Sequence, residues 1–307
     1  MEYVLRTFDL VKKYKKQYAL NKANINIKKG DIYGFVGENG SGKTTVIRLI
    51  TGLIFPNSGS YELFGIKNDD KNIYKVKQKI GAVVETPSIY NNFSAYENLK
   101  MQCSLNGIKD DKKILDTLTI VGLKDLYDSK KQAGDFSLGM RQRLGIAMAL
   151  INNPEFLILD EPMNGLDPQG IVEVRELIIK LNKQYNITFL ISSHILTELS
   201  LVATKYGIIS KGKIIKEISN EQLEKECRKS LFINVDDVDK AYEVLLDIID
   251  INELQRFEQS IRIYGDININ EVLNKIIQNN IKINNIRSEQ TNIEDYYLSL
   301  IRGEYNG

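Results

Sequence analysis

The chain has 307 residues, enough for one large domain or two unequal ones, each with room for a hydrophobic core. Charged residues make up 26% and hydrophobic residues 43%, which argues against wholesale disorder. A formal net charge of +1 supplies no global attraction to nucleic acid or to an anionic membrane.

The only two cysteines, Cys103 and Cys227, are far apart and show no CxxC spacing. They point to a reducing compartment, without a disulfide framework or a thiolate metal site. The opening residues, Met1-Glu2-Tyr3-Val4-Leu5-Arg6, lack the basic-then-apolar order of a secretory signal. The longest apolar run, residues 144–151, contains a glycine and falls well short of the roughly 18 residues that span a membrane. A soluble, cytoplasmic chain is expected. The lysines crowding the first thirty residues, Lys12, Lys13, Lys15, Lys16, Lys22, Lys28 and Lys29, read as a solvated basic face.

Residues 4–10, 24–27 and 32–36 read as strands, with Lys28-Lys29-Gly30-Asp31 as a turn. The apolar run 32–36 leads directly into Gly37-Glu38-Asn39-Gly40-Ser41-Gly42-Lys43-Thr44, a complete match to G-x-x-x-x-G-K-[ST]. Residues 45–50 continue as a helix. In this setting the glycines turn backbone N–H groups onto a phosphate, and the helix N-terminus adds its dipole. Lys43 would reach the β- and γ-phosphates, and Thr44 would offer its hydroxyl to Mg2+. An ordinary glycine-rich turn is the alternative, and the strand and helix flanks favour a nucleotide site.

Residues 58–65 read as a turn and short strand, and residues 80–84 as a buried strand. From Ser94 to about Leu126 the pattern is helical: Ser94 and Glu97 form a capping box, and Ile114, Leu115, Leu118 and Val121 recur at helical spacing. Residues 156–160 and 187–192 have the composition of central parallel strands, with a helix over 170–182 between them. Strands alternating with helices predict an α/β fold with a parallel sheet. Composition shifts near Ser219-Asn220. Beyond it, strands at 231–235, 254–257, 261–264 and 281–286 alternate with helices at 238–247, 269–278 and 293–301. The order βαββαβ, with a final helix, predicts a small α+β domain of the ferredoxin-like, split-βαβ kind.

Asp160-Glu161 closes the strand at 156–160. Ligands of open parallel sheets bind beyond the strands' carboxyl ends, which is where this pair would lie, beside the phosphate loop. Asp160 would hold Mg2+ through its water shell, and Glu161 would serve as general base on the attacking water. Three further segments complete the set: Phe136-Ser137-Leu138-Gly139-Met140-Arg141-Gln142-Arg143, Asn164-Gly165-Leu166-Asp167-Pro168 and Ser192-Ser193-His194. His194 is the only histidine of the chain.

Over roughly residues 3–217 these motifs resemble the nucleotide-binding subunit of an ATP-binding cassette transporter. The resemblance implies a P-loop NTPase with a RecA-like core over 1–219, a helical subdomain at about 88–145, and an accessory α+β domain over 220–307. It implies ATP and Mg2+ as cofactors, with Lys43, Glu161 and His194 catalytic and Thr44, Glu85 and Asp160 around the metal. The phosphate loop, extended to Thr45, would bind the nucleotide. Ser137 and Gly139 of the signature segment, with Asp167 of the D-loop, would complete the site of an opposing cassette. Tyr14 matches the aromatic on which the family stacks adenine; a packed surface ring is the alternative reading for one of 16 tyrosines.

Two departures matter. Leu138 and Met140 replace the Gly and Gln of the usual Leu-Ser-Gly-Gly-Gln, while Ser137 and Gly139 remain. Glu85 stands where the family usually has the Q-loop glutamine; it keeps an oxygen for Mg2+ or water but adds negative charge near phosphates, leaving slower turnover and altered coupling both open. These departures and the C-terminal extension resemble the bacitracin and lantibiotic export or immunity branch. That branch implies a homodimer, or a pair with a similar cassette, bound at the inner face of the cell membrane to a separate permease that exports an antimicrobial peptide or other amphiphilic compound. The region 102–132 would help form a groove for a permease helix. Tyr90, Phe93 and Tyr96 would be groove aromatics or core. A soluble ATPase acting on nucleic acid or ribosomes would normally carry tandem cassettes or coiled-coil insertions, so no nucleic-acid partner is expected. A regulatory module that holds ATP without turnover is disfavoured by the intact Glu161 and His194.

Overall fold

The computed structural model describes residues 2–227, 229–265, 267–290 and 292–302. The chain divides into two compact units, Met1–Asn220 and Glu221–Gly307.

The first unit opens with β1 (Tyr3–Tyr14), β2 (Gln17–Ala23), β3 (Asn26–Lys28), β4 (Ile32–Val36) and α1 (Lys43–Thr51). β5 (Ser58–Leu63), β6 (Ile66–Lys67), α2 (Ile73–Lys77) and β7 (Ile80–Val83) follow. The helices α3 (Ala95–Leu105), α4 (Asp111–Ile120) and α5 (Leu138–Leu150) come next. The unit closes with β8 (Phe156–Asp160), α6 (Pro168–Tyr185), β9 (Thr188–Ser193), α7 (Leu196–Leu199), β10 (Lys205–Ser210) and β11 (Lys213–Ser219).

A six-stranded sheet, ordered β11-β10-β4-β9-β8-β7, forms the centre. All its pairings are parallel except that of the edge strand β11 with β10. Every residue of β4, β8 and β9 is buried, so these strands read as continuous apolar runs and not as alternating ones. Parallel direction sends the carboxyl ends of β4, β7, β8 and β9 to one edge of the sheet. The segments leaving that edge start at Gly37, Val84, Glu161 and His194. An antiparallel sheet, β2-β1-β5-β6 with β3 also on β1, shares one core with α1: Leu5, Leu10, Leu20 and Ile25 belong to the same cluster as Val46, Ile47 and Ile50.

Four strands of this unit were not among those expected, one of them the two-residue β6. In β2 only Leu20 and Ala23 are buried, too few to mark a strand by pattern. β10 is buried through Tyr206, Gly207, Ile208 and Ile209, but its glycine interrupts the apolar run. That glycine is a packing requirement, since a Cβ there would lie 2.0 Å from Tyr33 Oη and 2.6 Å from Tyr33 Cζ. β11, at the sheet's edge, buries only Ile218 and breaks any period with Ile214-Ile215 side by side. The helical stretch from Ser94 to about Leu126 is two helices: Asn106 and Gly107 (φ 69°) stop α3, and Asp110 caps α4 by accepting from Lys112 N at 2.9 Å. The Ser94–Glu97 capping box is present, with Ser94 Oγ accepting from Glu97 N and Glu97 Oε2 from Ser94 N.

In the second unit, α8 (Asn220–Glu226) precedes β12 (Lys229–Val235), α9 (Val238–Leu245), β13 (Leu254–Arg256) and β14 (Ser260–Tyr264). α10 (Ile269–Gln278), β15 (Ile283–Gln290) and α11 (Ile293–Arg302) complete it. The sheet is antiparallel and ordered β13-β14-β12-β15. Leu231, Ile233 and Val235 of β12 pack with Ile261 and Ile263 of β14, Ala241 and Leu245 of α9, and Val272 and Ile276 of α10.

Tyr33 is fully buried and donates its hydroxyl to Glu217 Oε1 at 2.8 Å, so its ring has little freedom to move off Gly207. Gly207→Ala is therefore expected to destabilise the protein by about 1–3 kcal/mol, the usual range for overpacking a core. A lower urea midpoint checks this; an unchanged midpoint would mean that Tyr33 yields.

Candidate functional site

The loop 37–42 joins β4 to α1, and its N-cap for the helix is Gly42, at φ 116°. A Cβ at Gly42 would stand 2.6 Å from Ala19 O of β2, so both the backbone angle and the close approach require glycine. Gly37, Asn39 and Gly40 lie in the same loop, while Lys43, Thr44 and Thr45 open the helix. α1 has no side-chain cap and no acidic residue in its first turn, leaving its first N–H groups to an anion. Ser41 Oγ is buried and has no hydrogen-bond partner among the described residues. An orphaned hydroxyl in the loop that leads into an uncapped helix N-terminus fits a phosphate oxygen.

Lys43, only 5% exposed, donates to Gly37 O at 2.6 Å and Glu38 O at 3.2 Å. Its Nζ also lies 3.3 Å from Glu161 Oε1. Thr44 Oγ1 donates to Asp160 Oδ2 at 3.0 Å. The other oxygen of that buried carboxylate accepts from Ser192 Oγ at 2.5 Å. Hydroxyl and carboxylate oxygens are the donors that Mg2+ takes. Glu161 follows in the left-handed region, at φ 50°, with its N–H shared between Ser192 O at 3.2 Å and Ser192 Oγ at 2.9 Å. Its Oε2 lies 2.8 Å from His194 Nδ1. Burial pushes the nearby Glu198 carboxyl above its ordinary range, with His194 opposing that rise and Glu161 adding to it.

Lys43, Thr44, Asp160, Glu161 and His194 thus form one connected cluster. Glu85 sits at φ 61° and forms an ion pair with Arg48, which lies one turn beyond Thr44 on α1. The described contacts bring it to α1 and not to Thr44 or Asp160 themselves. Tyr14 ends β1 with its ring 46% exposed and Lys12 Nζ 5.4 Å from the ring centre. Its hairpin partner β2 abuts Gly42, as the approach of Ala19 O shows.

Ser137 caps α5 by accepting from Met140 N at 3.2 Å, and Asp167 caps α6 by accepting from Gly170 N at 3.1 Å. The two caps are neighbours: a Cβ on Gly139 would lie 3.7 Å from Gly170 Cα, and one on Gly165 3.5 Å from Leu138 Cδ2. Among the described residues neither Ser137 nor Asp167 hydrogen-bonds to the phosphate loop. A cleft of about 220 Å³ lies between β7 and α5, lined by residues including Gly81, Val84, Pro87, Gln102, Gly145 and Met148. Tyr90 and Phe93 pack on each other with ring centres 5.2 Å apart, and Tyr96 meets Tyr127 edge-on at 5.4 Å. None of the three lines the cleft.

The family described as ABC transporter matches residues 20–164. The bacitracin transport ATP-binding protein BcrA of Bacillus licheniformis is 45% identical over 99% of each chain. The chain belongs to the ATP-binding cassette family of transporter ATPases. The lantibiotic transport ATP-binding protein SrtF of Streptococcus pyogenes is also 45% identical, over 70% of this chain and 90% of that protein. A dimeric cassette, MJ0796, solved in a post-hydrolysis state with ADP and Pi, superposes with a TM-score of 0.63 at 26% identity, covering 70% of this chain and 98% of its own. The cbiO1 subunit from Clostridium perfringens, part of the transporter complex cbiONQ, gives 0.66 at 27% identity over 81% and 96% of the two chains. The cassette is therefore a P-loop ATPase, and no helix among its described residues is long and apolar enough to cross a membrane.

Arg48 and Ser192 are the site residues that motif reading missed. Ser192 lies in the Ser192-Ser193-His194 segment, but its tie to Asp160 depends on β8 and β9 pairing Asp160 with Ser192. For Lys43, truncation to alanine is expected to weaken ATP binding by at least tenfold, since a buried charged donor is lost. Titration with a fluorescent ATP analogue measures it; wild-type affinity would detach Lys43 from the nucleotide.

Proposed function

We propose that this cassette hydrolyses ATP between two copies, or between itself and a similar cassette, and drives a separate permease that exports an antimicrobial peptide or related amphiphile. The observation that carries the reading is the cluster itself: Lys43, Glu161 and His194 within hydrogen-bonding or ion-pair distance at the mouth of an anion-ready helix. The names of the bacitracin and lantibiotic transport relatives support the cargo class. On this reading the protein works at the inner face of the membrane, held there by its permease.

Catalysis is chiefly positioning and charge neutralisation around the γ-phosphate. Lys43 leaves its two backbone carbonyls and Glu161 to meet the phosphates. Ser41 supplies the hydroxyl that has no partner among the described residues. Thr44 and Asp160 would hold Mg2+, which neutralises phosphate charge when bound. Glu161, released from Lys43, takes a proton from the attacking water. His194 holds the Glu161 carboxylate on one side and reaches the γ-phosphate with its other ring nitrogen. Tyr14 stacks on the adenine. Ser137, Gly139 and Asp167 serve the partner's nucleotide, a role consistent with Ser137 and Asp167 capping neighbouring helix starts and, among the described residues, not bonding to the phosphate loop of their own chain. The cleft beside β7 is the docking place for a permease helix, and residues 1–219 act as the cassette with 220–307 as an accessory domain.

Glu161→Gln keeps the shape of the side chain and removes its basicity, so ATP should bind and persist. We expect the variant to elute as a dimer in ATP and as a monomer without it, with phosphate release reduced at least a hundredfold. A variant that stays monomeric and hydrolyses ATP at the wild-type rate would overturn the shared-site reading.

A further inference from the structure

The fully buried Ser192 is joined by its hydroxyl to both carboxylate residues at the end of β8. Its Oγ donates to Asp160 Oδ1 at 2.5 Å and accepts from Glu161 N at 2.9 Å. A hydroxyl has one proton and two lone pairs, so both bonds are compatible at once. The adjacent Ser193 does something else: its Oγ accepts from Ile195 N at 3.0 Å and caps the turn after β9. The two serines are neighbours in sequence and have separate jobs.

Resting on the ATPase reading above, we propose that Ser192 is a positioning residue that sets the orientation of Asp160 toward Mg2+-ATP and of Glu161 toward the attacking water. Asp160 is bonded through both oxygens, Oδ2 to Thr44 and Oδ1 to Ser192. Thr44 belongs to the phosphate loop and must serve the ligand. Ser192 lies on the neighbouring strand, directly opposite Asp160, so its bond does not depend on what Thr44 binds. It keeps the carboxylate from turning when the loop side of the pair changes partner. Glu161 needs the second bond for another reason. A left-handed backbone at a non-glycine residue persists only where the surroundings over-determine it. The N–H of Glu161 is held by both the carbonyl and the hydroxyl of Ser192, which anchors the turn that aims its carboxylate at Lys43 and His194.

The test uses the full chain with Ser192→Ala, Ser192→Thr and, in parallel, Glu161→Gln. Affinity for a fluorescent ATP analogue is measured in magnesium and in EDTA, and kcat and KM for ATP separately. Residues that orient a metal's ligands typically matter by about 10–100-fold. Ser192→Ala should therefore weaken binding in magnesium by about tenfold, leave binding in EDTA unchanged, and lower kcat by a similar or larger factor. Ser192→Thr, which keeps the hydroxyl, should restore most of both. Equal weakening with and without magnesium would be the mark of a structural role only and would overturn the proposal. So would wild-type values for Ser192→Ala alongside a Glu161→Gln protein that has lost hydrolysis. Should Glu161→Gln itself turn over ATP normally, the ATPase assignment fails first. If alanine prevents folding, Ser192→Cys fills the same space with a poor donor, and its magnesium-dependent affinity is held to the same outcomes.

Discussion

Burial of the central parallel strands on both faces is the constraint on which the rest depends. β4, β8 and β9 satisfy their backbone groups through one another and through the flanking strands β10 and β7, so the chain can turn toward a ligand only where each strand ends. Because the strands are parallel, those ends share an edge, and a loop, a carboxylate pair and a histidine distant in sequence converge there. Convergence in a desolvated place carries a cost, since a buried charge without a partner is strongly unfavourable. The cluster meets it by pairing every charge: Lys43 with Glu161, Glu161 with His194, and Asp160 with two hydroxyls. A triphosphate therefore does not enter an empty cradle. On the proposed reading it competes with Glu161 and two carbonyl oxygens for Lys43, and winning that competition would free the Glu161 carboxylate.

This arrangement also explains what could be read in advance. The phosphate loop was legible because its geometry is local: eight consecutive residues fix the turn and the helix start. The strands 32–36, 156–160 and 187–192 were legible because double-sided burial leaves uninterrupted apolar runs. β10 was hidden by Gly207, which is there because a neighbouring tyrosine occupies the space of a side chain. β2, β11 and the break between α3 and α4 lacked a strong period. In the cluster, the motif positions brought together around Lys43 were assigned roles beforehand, but Ser192 and Arg48 were given none. Their partners, Asp160 and Glu85, lie 32 and 37 residues away, and only strand pairing and loop path bring them close.

The second unit shows the same logic with weaker signals. β12 and β14 carry alternating burial, with Leu231, Ile233 and Val235 inward on one and Ile261 and Ile263 on the other. Alternation survives because helices cover one face of this antiparallel sheet, whereas the first unit's central parallel strands are covered on both. Two hydropathy grammars in one chain therefore separate its two units.

The departures from the family's usual motifs can now be judged by what each side chain touches. On the proposed reading the signature segment would work through the Ser137 cap and the start of α5, and both are present despite Leu138 and Met140. Leu138 reaches toward Gly165, so it replaces a glycine with a contact to the D-loop and not with a charge or a clash. Glu85 is a different matter, since a carboxylate near phosphates raises the energy of the bound state. Arg48 answers it. Placed four residues after Thr44 on α1, it pairs with Glu85 and offsets that carboxylate's charge. The pair is half exposed and so adds little to stability. Its effect is electrostatic: the segment leaving β7 is tied to α1 by an ion pair, where the family's usual glutamine would offer a neutral amide.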